Sequence, residues 1–181
     1  FSFNNFTIIL GFGSLLFVIT YPFMKRITWY PQVFLGLTFN FGILMAWASV
    51  HAGLSFLPIM LYIGGICWTI GYDTIYAHQD IVDDLAIGIK STAIKFGINN
   101  KRNILFLYMG FLISMLYAGL SIGLGLVYLL LFNGAGFVIL SNVQLCDLEN
   151  PAACAKEFKR NSYYGFLLLI IIGVTVFLSH I

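Results

Sequence analysis

The chain has 181 residues, of which 60% are hydrophobic and 9% are charged, and its formal net charge is +2. Soluble globular proteins contain about 45–50% apolar and about 25% charged residues, so this composition excludes an ordinary soluble domain. The mean hydropathy of +0.95 points to the same conclusion. The small, dispersed positive charge gives no basis for nucleic-acid binding. We therefore expect an integral membrane protein.

Long uncharged segments predict transmembrane helices along the whole chain. A helix that crosses about 30 Å of hydrocarbon needs about 20 apolar residues. Segments of suitable length are residues 6–24, 32–50, 53–72, 104–145 and 163–179. The fourth is twice as long as one span needs, and its small residues near position 121 can turn the chain. The predicted fold class is therefore all-α: a polytopic integral membrane helical bundle of six transmembrane helices.

The charged residues lie in three predicted loops, which share one face of the membrane when the chain crosses it six times. Lys25 and Arg26 follow the first span, and the other charges cluster after the third and fifth spans. Lys and Arg concentrate on the cytoplasmic or matrix side of a membrane, so we expect these loops on that side. Asp73, near the end of the third span, is expected within the membrane, where an ionisable residue suggests a function.

The acidic stretch after the third span predicts a metal site. If the third helix continues past the membrane surface, Asp73, Asp80 and Asp84 lie on one stripe, flanked by Tyr76 and Asp83. Asp80 and Asp84 are neighbours at i and i+4, where like charges repel unless a cation neutralises them. Carboxylates suit Mg²⁺, which commonly joins protein carboxylates to a substrate phosphate. An acidic, solvated loop without a ligand is the alternative.

Basic residues on the same predicted face complement the acidic stretch. Lys25 and Arg26 end the first span, and Lys90 follows the carboxylates. Cations beside a metal–carboxylate site stabilise the negative charge that grows on a departing diphosphate. Lys25 and Arg26, taken alone, also fit ordinary anchors on the positive side of a membrane.

Two segments carry a resemblance to a known family. Residues 72–84 read Tyr-Asp-Thr-Ile-Tyr-Ala-His-Gln-Asp-Ile-Val-Asp-Asp, and residues 21–25 read Tyr-Pro-Phe-Met-Lys. The first resembles the second aspartate-rich motif of the UbiA superfamily of membrane prenyltransferases, and the second resembles its Tyr-x-x-x-Lys loop. The resemblance is nearest to the 4-hydroxybenzoate polyprenyltransferases of ubiquinone biosynthesis.

This resemblance implies a nine-helix fold around a central cavity. The six spans look like helices four to nine, so residues 1–181 are expected to form a single, incomplete UbiA-like transmembrane domain. The first three helices, with the first aspartate-rich motif, are then expected outside this sequence. A longer polypeptide, a separate chain or a larger membrane complex could supply them.

The resemblance also implies an activity and its residues. The expected reaction is Mg²⁺-dependent transfer of a polyprenyl group from polyprenyl diphosphate to an aromatic acid, 4-hydroxybenzoate, in the inner mitochondrial membrane or a bacterial plasma membrane. A non-catalytic UbiA-like structural subunit is the alternative, because half of the expected metal site would lie elsewhere. The resemblance implies that Asp80 and Asp84 bind the metal and that Tyr21 and Lys25 contact the diphosphate, with Tyr72, Asp73 and Lys90 at surrounding motif positions. We therefore expect Asp80, Asp84 and Lys25 as the catalytic residues. From their positions in the sequence we also expect Arg26 and Lys90 at the diphosphate, and Tyr76 and Asp83, with Tyr72 and Asp73, in support.

Overall fold

The computed structural model describes residues 3–179, and all regular secondary structure in that range is helical. Within residues 3–179, six helical segments are long and apolar enough to cross a membrane, which confirms the predicted number. The α2–α3 pair forms the second of these spans, and α5 and α6 are short helices between α4 and α7. In chain order the helices are α1 (Asn5–Ile27), α2 (Pro31–Phe39), α3 (Phe41–His51), α4 (Phe56–Ala77), α5 (Ile81–Ile87), α6 (Thr92–Phe96), α7 (Asn100–Ser121), α8 (Leu126–Leu145) and α9 (Pro151–Ser179).

The long fourth hydrophobic segment is divided where the small residues predicted a turn. α7 ends at Ser121 and α8 begins at Leu126. Gly123 between them has φ +80°, a left-handed conformation that glycine adopts without the steric cost of a Cβ atom. The prediction of two antiparallel spans in this segment is therefore confirmed.

Close packing of α4 against α7 forms the centre of the bundle. A Cβ atom on Gly64 would lie 2.6 Å from Ser114 Cβ, and one on Gly71 would lie 2.8 Å from Tyr108 Cε2. Small residues allow this approach, which is the usual way that helices associate in a membrane, where the hydrophobic effect contributes little. Tyr108 is fully buried at this contact.

The last helix begins earlier than its hydrophobicity predicted. The sequence indicates a span from residue 163, but α9 begins at Pro151 and includes the charged residues before that point. The Asn150 side-chain oxygen accepts hydrogen bonds from the backbone N–H groups of Ala152 at 3.0 Å and Ala153 at 3.2 Å. An asparagine cap followed by proline in the first turn is a strong signal for the start of a helix. The helix therefore begins here even though the residues that follow are charged.

Candidate functional site

The acidic stretch is divided between the end of α4 and the short helix α5. α4 ends at Ala77, and Asp80 occupies the N-cap position of α5, with Asp83 and Asp84 in the first turn. The expectation of one continuous helix that carries Asp73, Asp80 and Asp84 is therefore wrong. Negative side chains destabilise the C-terminal end of a helix and stabilise its N-terminal end. This run of carboxylates thus favours the start of a new helix.

Asp80 and Asp84 nevertheless form the expected i, i+4 pair, now within one turn of α5. The backbone N–H of Asp84 donates to the carbonyl of Asp80 at 2.8 Å. α5 ends at Ile87 and is capped by Gly88, whose φ of +74° is left-handed. The N–H of Ile89 then donates to the carbonyl of Asp84 at 2.9 Å. This glycine cap reverses the chain and brings Lys90 to the end of α1.

The end of α1 is hydrogen-bonded to the segment that follows α5. The N–H of Lys90 donates to the carbonyl of Lys25 at 3.0 Å, and Lys90 Nζ donates to the carbonyl of Ile27 at 3.1 Å. Lys90 Nζ also lies 5.6 Å from the centroid of the Trp29 ring, a cation–π arrangement. The basic and acidic segments are therefore neighbours, and the Lys90 ammonium group contributes to the junction between them.

Buried polar side chains hold the start of α6 against the membrane helices. The N–H of Thr92 donates to Gln32 Oε1 on α2 at 3.1 Å, and the hydroxyls of Thr92 and Thr74 on α4 are hydrogen-bonded at 2.6 Å. Gln32 is 2% exposed and both threonines are 0% exposed. Buried polar groups are stable only with partners, so these bonds fix the acidic turn relative to α2 and α4.

Lys25 is the cation that acts on the carboxylates of the site. Its charge influences Asp73 at the end of α4 and Asp84 on α5. Burial raises the pKa of Asp84; Lys25 opposes this effect, and the negative charges of Asp80 and Asp83 add to it. Like-charged carboxylates therefore crowd around Asp84, and any further cation there is favoured.

The remaining predicted residues have different neighbours. Tyr21, one turn before Lys25 on α1, lies near enough to Asp73 for the carboxylate charge to affect it. Arg26 is exposed at the end of α1. Within the part of the chain that the structure describes, neither Arg26 nor Lys25 forms an ion pair within 4.0 Å, since only Arg160 and Glu157 do so.

The carboxylates form a pair rather than a closed metal cage. Among residues 3–179, no three His, Cys, Asp or Glu side chains are placed to hold one metal ion. Mg²⁺, however, usually keeps several waters and binds one or two protein carboxylates together with substrate phosphates. Asp80 and Asp84 on adjacent positions of one turn fit a metal that is bound together with a diphosphate.

An apolar cavity of about 430 Å³ lies deeper in the bundle, between α4, α7 and α9. Trp68 lines it and stacks on Phe111 at 4.5 Å between ring centroids. The edge of Tyr72, one turn further along α4, lies against the same indole at 6.2 Å. The cavity therefore begins one turn below Tyr72 and about two and a half turns below the end of α4 at Ala77. Its lining residues include Asn40, Leu61, Gly65, Trp68, Met115 and Gly165.

Sequence reasoning missed the contribution of α9 to this region. Asn161 Oδ1 accepts hydrogen bonds from Trp68 Nε1 at 2.8 Å and from the Tyr108 hydroxyl at 2.7 Å. Buried Glu157 accepts from Arg160 at 2.9 Å and from the Tyr164 hydroxyl at 2.7 Å. This stretch was predicted as part of the charged loop after the fifth span. In the structure its buried residues are spaced three or four apart, as on one helix face, but they include the polar Glu157 and Asn161, so apolar periodicity in the sequence could not identify them.

Phe158 is the second feature of α9 that the sequence did not indicate. Its ring centroid lies 5.8 Å from that of Tyr72 and 4.8 Å from that of Tyr76. Tyr72 and Tyr76 were expected to support the site, and α9 thus completes a three-ring cluster beside them. A single phenylalanine among eighteen has no sequence signature, so only the packing of α9 on α4 identifies it.

Comparison with known proteins shows which family the chain resembles. Residues 1–176 match the model of the UbiA prenyltransferase family. The mitochondrial 4-hydroxybenzoate polyprenyltransferase of Drosophila pseudoobscura pseudoobscura is 41% identical over 165 residues, which cover 91% of this chain and 42% of that protein. The human protein of the same name is 40% identical over 178 residues, covering 96% and 46%. That of Schizosaccharomyces pombe is 42% identical over 175 residues, covering 94% and 49%.

The chain spans less than half the length of these three relatives. No solved structure matches it. The family match extends over nearly the whole sequence, including the end of α1, the acidic turn, five of the six segments that could span a membrane and all but the last three residues of the sixth. The chain therefore belongs to the UbiA prenyltransferase family.

Proposed function

We propose that this chain forms part of the active site of a membrane enzyme that transfers a polyprenyl group from polyprenyl diphosphate to 4-hydroxybenzoate in ubiquinone biosynthesis. The observation that carries the proposal is the junction of Lys25 with the segment after α5. It holds a cation beside the carboxylates that follow the aqueous end of α4, and an apolar cavity begins at Trp68, about two and a half turns deeper along α4. A lipid diphosphate has a charged headgroup and an apolar tail, so a site that binds it needs both a charged and an apolar environment.

In this proposal the basic end of α1 binds the diphosphate. Lys25 contacts its oxygens, with Arg26 and the Tyr21 hydroxyl beside it, and Lys90 supports the arrangement through the carbonyl of Ile27. Negative charge grows on the diphosphate as the allylic carbon–oxygen bond breaks. Preorganised cations at that position stabilise the transition state more than the bound substrate, which is the condition for catalysis.

Asp80 and Asp84 would hold Mg²⁺, with Asp73 and Asp83 adding negative charge around it. A bound Mg²⁺ supplies a Lewis acid for the leaving diphosphate. The carboxylates themselves orient the headgroup toward α1, and their mutual repulsion disfavours an empty site.

The apolar cavity would take the first isoprene units of the donor and exclude water from the reacting carbon. Water would otherwise capture the allylic cation before the acceptor does. The electron-rich ring carbon next to the phenol then attacks the cation and loses its proton. Isoprenoid donors are themselves membrane-soluble, which accounts for an active site at the end of membrane-spanning helices.

The relatives are named as mitochondrial proteins, and we propose the inner mitochondrial membrane for this chain, with its charged loops on the matrix side. The relatives are about twice as long as the matched region, so we propose that a complete site also uses helices supplied by a longer polypeptide, a separate chain or a larger membrane complex. Surrounding lipid and the two substrates are then its partners.

The proposal is tested in the natural membrane, where the protein has whatever partners it normally has. Asp80→Asn and Asp84→Asn are introduced separately into the natural gene, with Glu149→Gln in the exposed α8–α9 turn as the matched control. Prenylated 4-hydroxybenzoate is measured in isolated membranes with and without added Mg²⁺ after chelation.

We expect each Asp variant to lose about 100-fold or more of the activity, with an unchanged amount of protein in the membrane. The control is expected to retain wild-type activity, and chelated wild-type membranes should recover with Mg²⁺. Near-normal turnover in both Asp variants would contradict the assigned site. Unchanged turnover after deletion of the gene would favour a structural subunit.

A further inference from the structure

The three-ring cluster of Tyr72, Tyr76 and Phe158 lies between the charged end of the site and the apolar cavity. On α4, Tyr72 follows Trp68 by one turn and Tyr76 follows by two, so these rings lie about 6 and 12 Å above Trp68 along the helix axis. Trp68 lines the cavity, and Asp80 begins the acidic turn beyond Tyr76. The cluster therefore occupies the level at which a lipid tail would join its diphosphate.

Phe158 closes this cluster from the opposite helix. Its ring is tilted by 62° to Tyr72 and by 51° to Tyr76. It is half-buried, while Tyr76 is 42% exposed, so the cluster is open on one side. On either side of Phe158 in α9, Glu157 and Asn161 are hydrogen-bonded to buried partners. The position of its ring is thus set by a rigid part of the bundle.

We propose that Phe158, together with Tyr72 and Tyr76, faces the allylic carbon of the prenyl donor and stabilises the positive charge that develops there. This inference rests on the proposed function. The face of an aromatic ring attracts a cation, most strongly where water is excluded.

The reaction balances without a bond to Phe158. The bond between the allylic carbon and the diphosphate oxygen breaks, and its electron pair leaves with the diphosphate. A ring carbon of the acceptor then forms the new carbon–carbon bond to the cation. The proton on that ring carbon passes to a basic oxygen, of which the released diphosphate offers several. The aromatic cluster lowers the energy of the cation between these two events.

The first experiment compares Phe158→Leu with Phe158→Tyr and with Phe166→Leu, all in natural membranes. Phe166 lies on the same helix with 69% of its surface exposed, so it is the matched control. We expect Phe158→Leu to lower kcat about 5- to 30-fold with KM for both substrates nearly unchanged. Phe158→Tyr retains most of the rate because it retains the ring. A change in KM as large as the change in kcat, or an unchanged kcat, would contradict the proposal.

The second experiment separates the electronic effect from packing. Phenylalanine at position 158 is replaced by its mono-, di- and trifluorinated analogues, which keep the shape of the ring and progressively weaken its attraction for cations. We expect the logarithm of kcat to fall stepwise with each fluorine. If the wild type is active and kcat does not change with fluorination, this inference alone is overturned. If the wild type shows no prenyl transfer, the proposed function is overturned as well.

Discussion

Two regions of the protein use polar residues in opposite ways. The mouth, which comprises the end of α1 and residues 78–92, carries exposed Asp80 and Asp83 on a short helix. The framework, which is the interface of α4, α7 and α9, contains buried polar groups with hydrogen-bond partners, such as Tyr108 and Asn161. Charged groups are thus accessible where a ligand would bind, and polar groups such as Tyr108 and Asn161 are hydrogen-bonded where helices pack.

The difference follows from the cost of burying charge. A carboxylate pair that lacks a cation is stable only near water, so the mouth cannot be buried as the framework is. Its position is set instead by bonds from rigid elements, including those of Gln32 and Thr74 to Thr92. Functional groups held by a rigid support keep the geometry that they need. Changes in the framework should therefore affect stability, and changes in the mouth should affect activity.

The largest expected effect comes from Gly64→Ala in the framework. The new Cβ would lie 2.6 Å from Ser114 Cβ, closer than real Cβ atoms approach, and would force α4 away from α7. Overpacking costs about 1–3 kcal/mol, and an overlap this severe is expected at the upper end, about 3 kcal/mol. We expect a corresponding fall in the thermal stability of the detergent-solubilised protein.

Two further variants check this explanation. Gly134→Ala on α8 is the matched control, because no atom lies within 4 Å of its added Cβ, and we expect no loss. Ser114→Gly removes the side chain that the new Cβ at position 64 would meet, so it should restore much of the stability in combination with Gly64→Ala. A loss that the second substitution does not reduce would exclude the α4–α7 contact as the cause.

A smaller loss is expected for Asn161→Leu, which leaves Trp68 Nε1 and the Tyr108 hydroxyl without their shared acceptor. Interhelical hydrogen bonds in membranes contribute on average about 0.6 kcal/mol each, and orphaned buried donors add to the penalty. We expect a loss of about 2 kcal/mol, reduced when Tyr108→Phe is already present. Asn133→Leu is the control, since exposed Asn133 bonds only to its own helix. Equal losses in both variants would contradict the role of the network.

The spans and the spacing of the carboxylate pair could be predicted from the sequence. The helix ends and hydrogen bonds that support them could not. Uninterrupted hydrophobic length identifies each span, and the i, i+4 spacing of Asp80 and Asp84 survives the change of helix. The helix break after Ala77 was missed because apolar periodicity carries no information about the helix dipole. The early start of α9 was missed because Glu157 reads as a loop charge until its partners Arg160 and Tyr164 are known.

In the mouth, Lys25→Ala should change activity without changing stability. Its side chain is exposed and acts on Asp73 and Asp84 by charge alone. We expect about a tenfold increase in KM for polyprenyl diphosphate, equivalent to about 1.4 kcal/mol, and a smaller change for the aromatic acid. Lys95→Ala, at the exposed end of α6, is the control. A larger increase in KM for the aromatic acid than for polyprenyl diphosphate would argue against a role for Lys25 in diphosphate binding.

The smallest effect is expected at His78, which lies where the mouth joins the framework. His78 Nδ1 lies 2.7 Å from the carbonyl of Thr74 and donates a hydrogen bond to it in the neutral ring. Burial lowers the pKa of His78, the bond to Thr74 raises it and the charge of Lys101 lowers it, with a net decrease from the ordinary value of 6.5. As the pH falls through that value, the unfolded chain binds a proton that the folded protein does not, so stability decreases.

This pH effect is measured as thermal stability of the wild type and of His78→Gln between about pH 7.5 and about pH 5.5. Glutamine keeps a donor for the Thr74 carbonyl but does not titrate, so the variant should lose less stability than the wild type on acidification. Asp84, whose pKa is raised, acts in the other direction, because its folded form binds a proton more readily than the unfolded chain. The difference between the two proteins removes that shared contribution. Identical losses in the two proteins would show that His78 has the same pKa in the folded protein as in the unfolded chain. His78 would then belong to the solvated mouth, and the framework would begin deeper in α4.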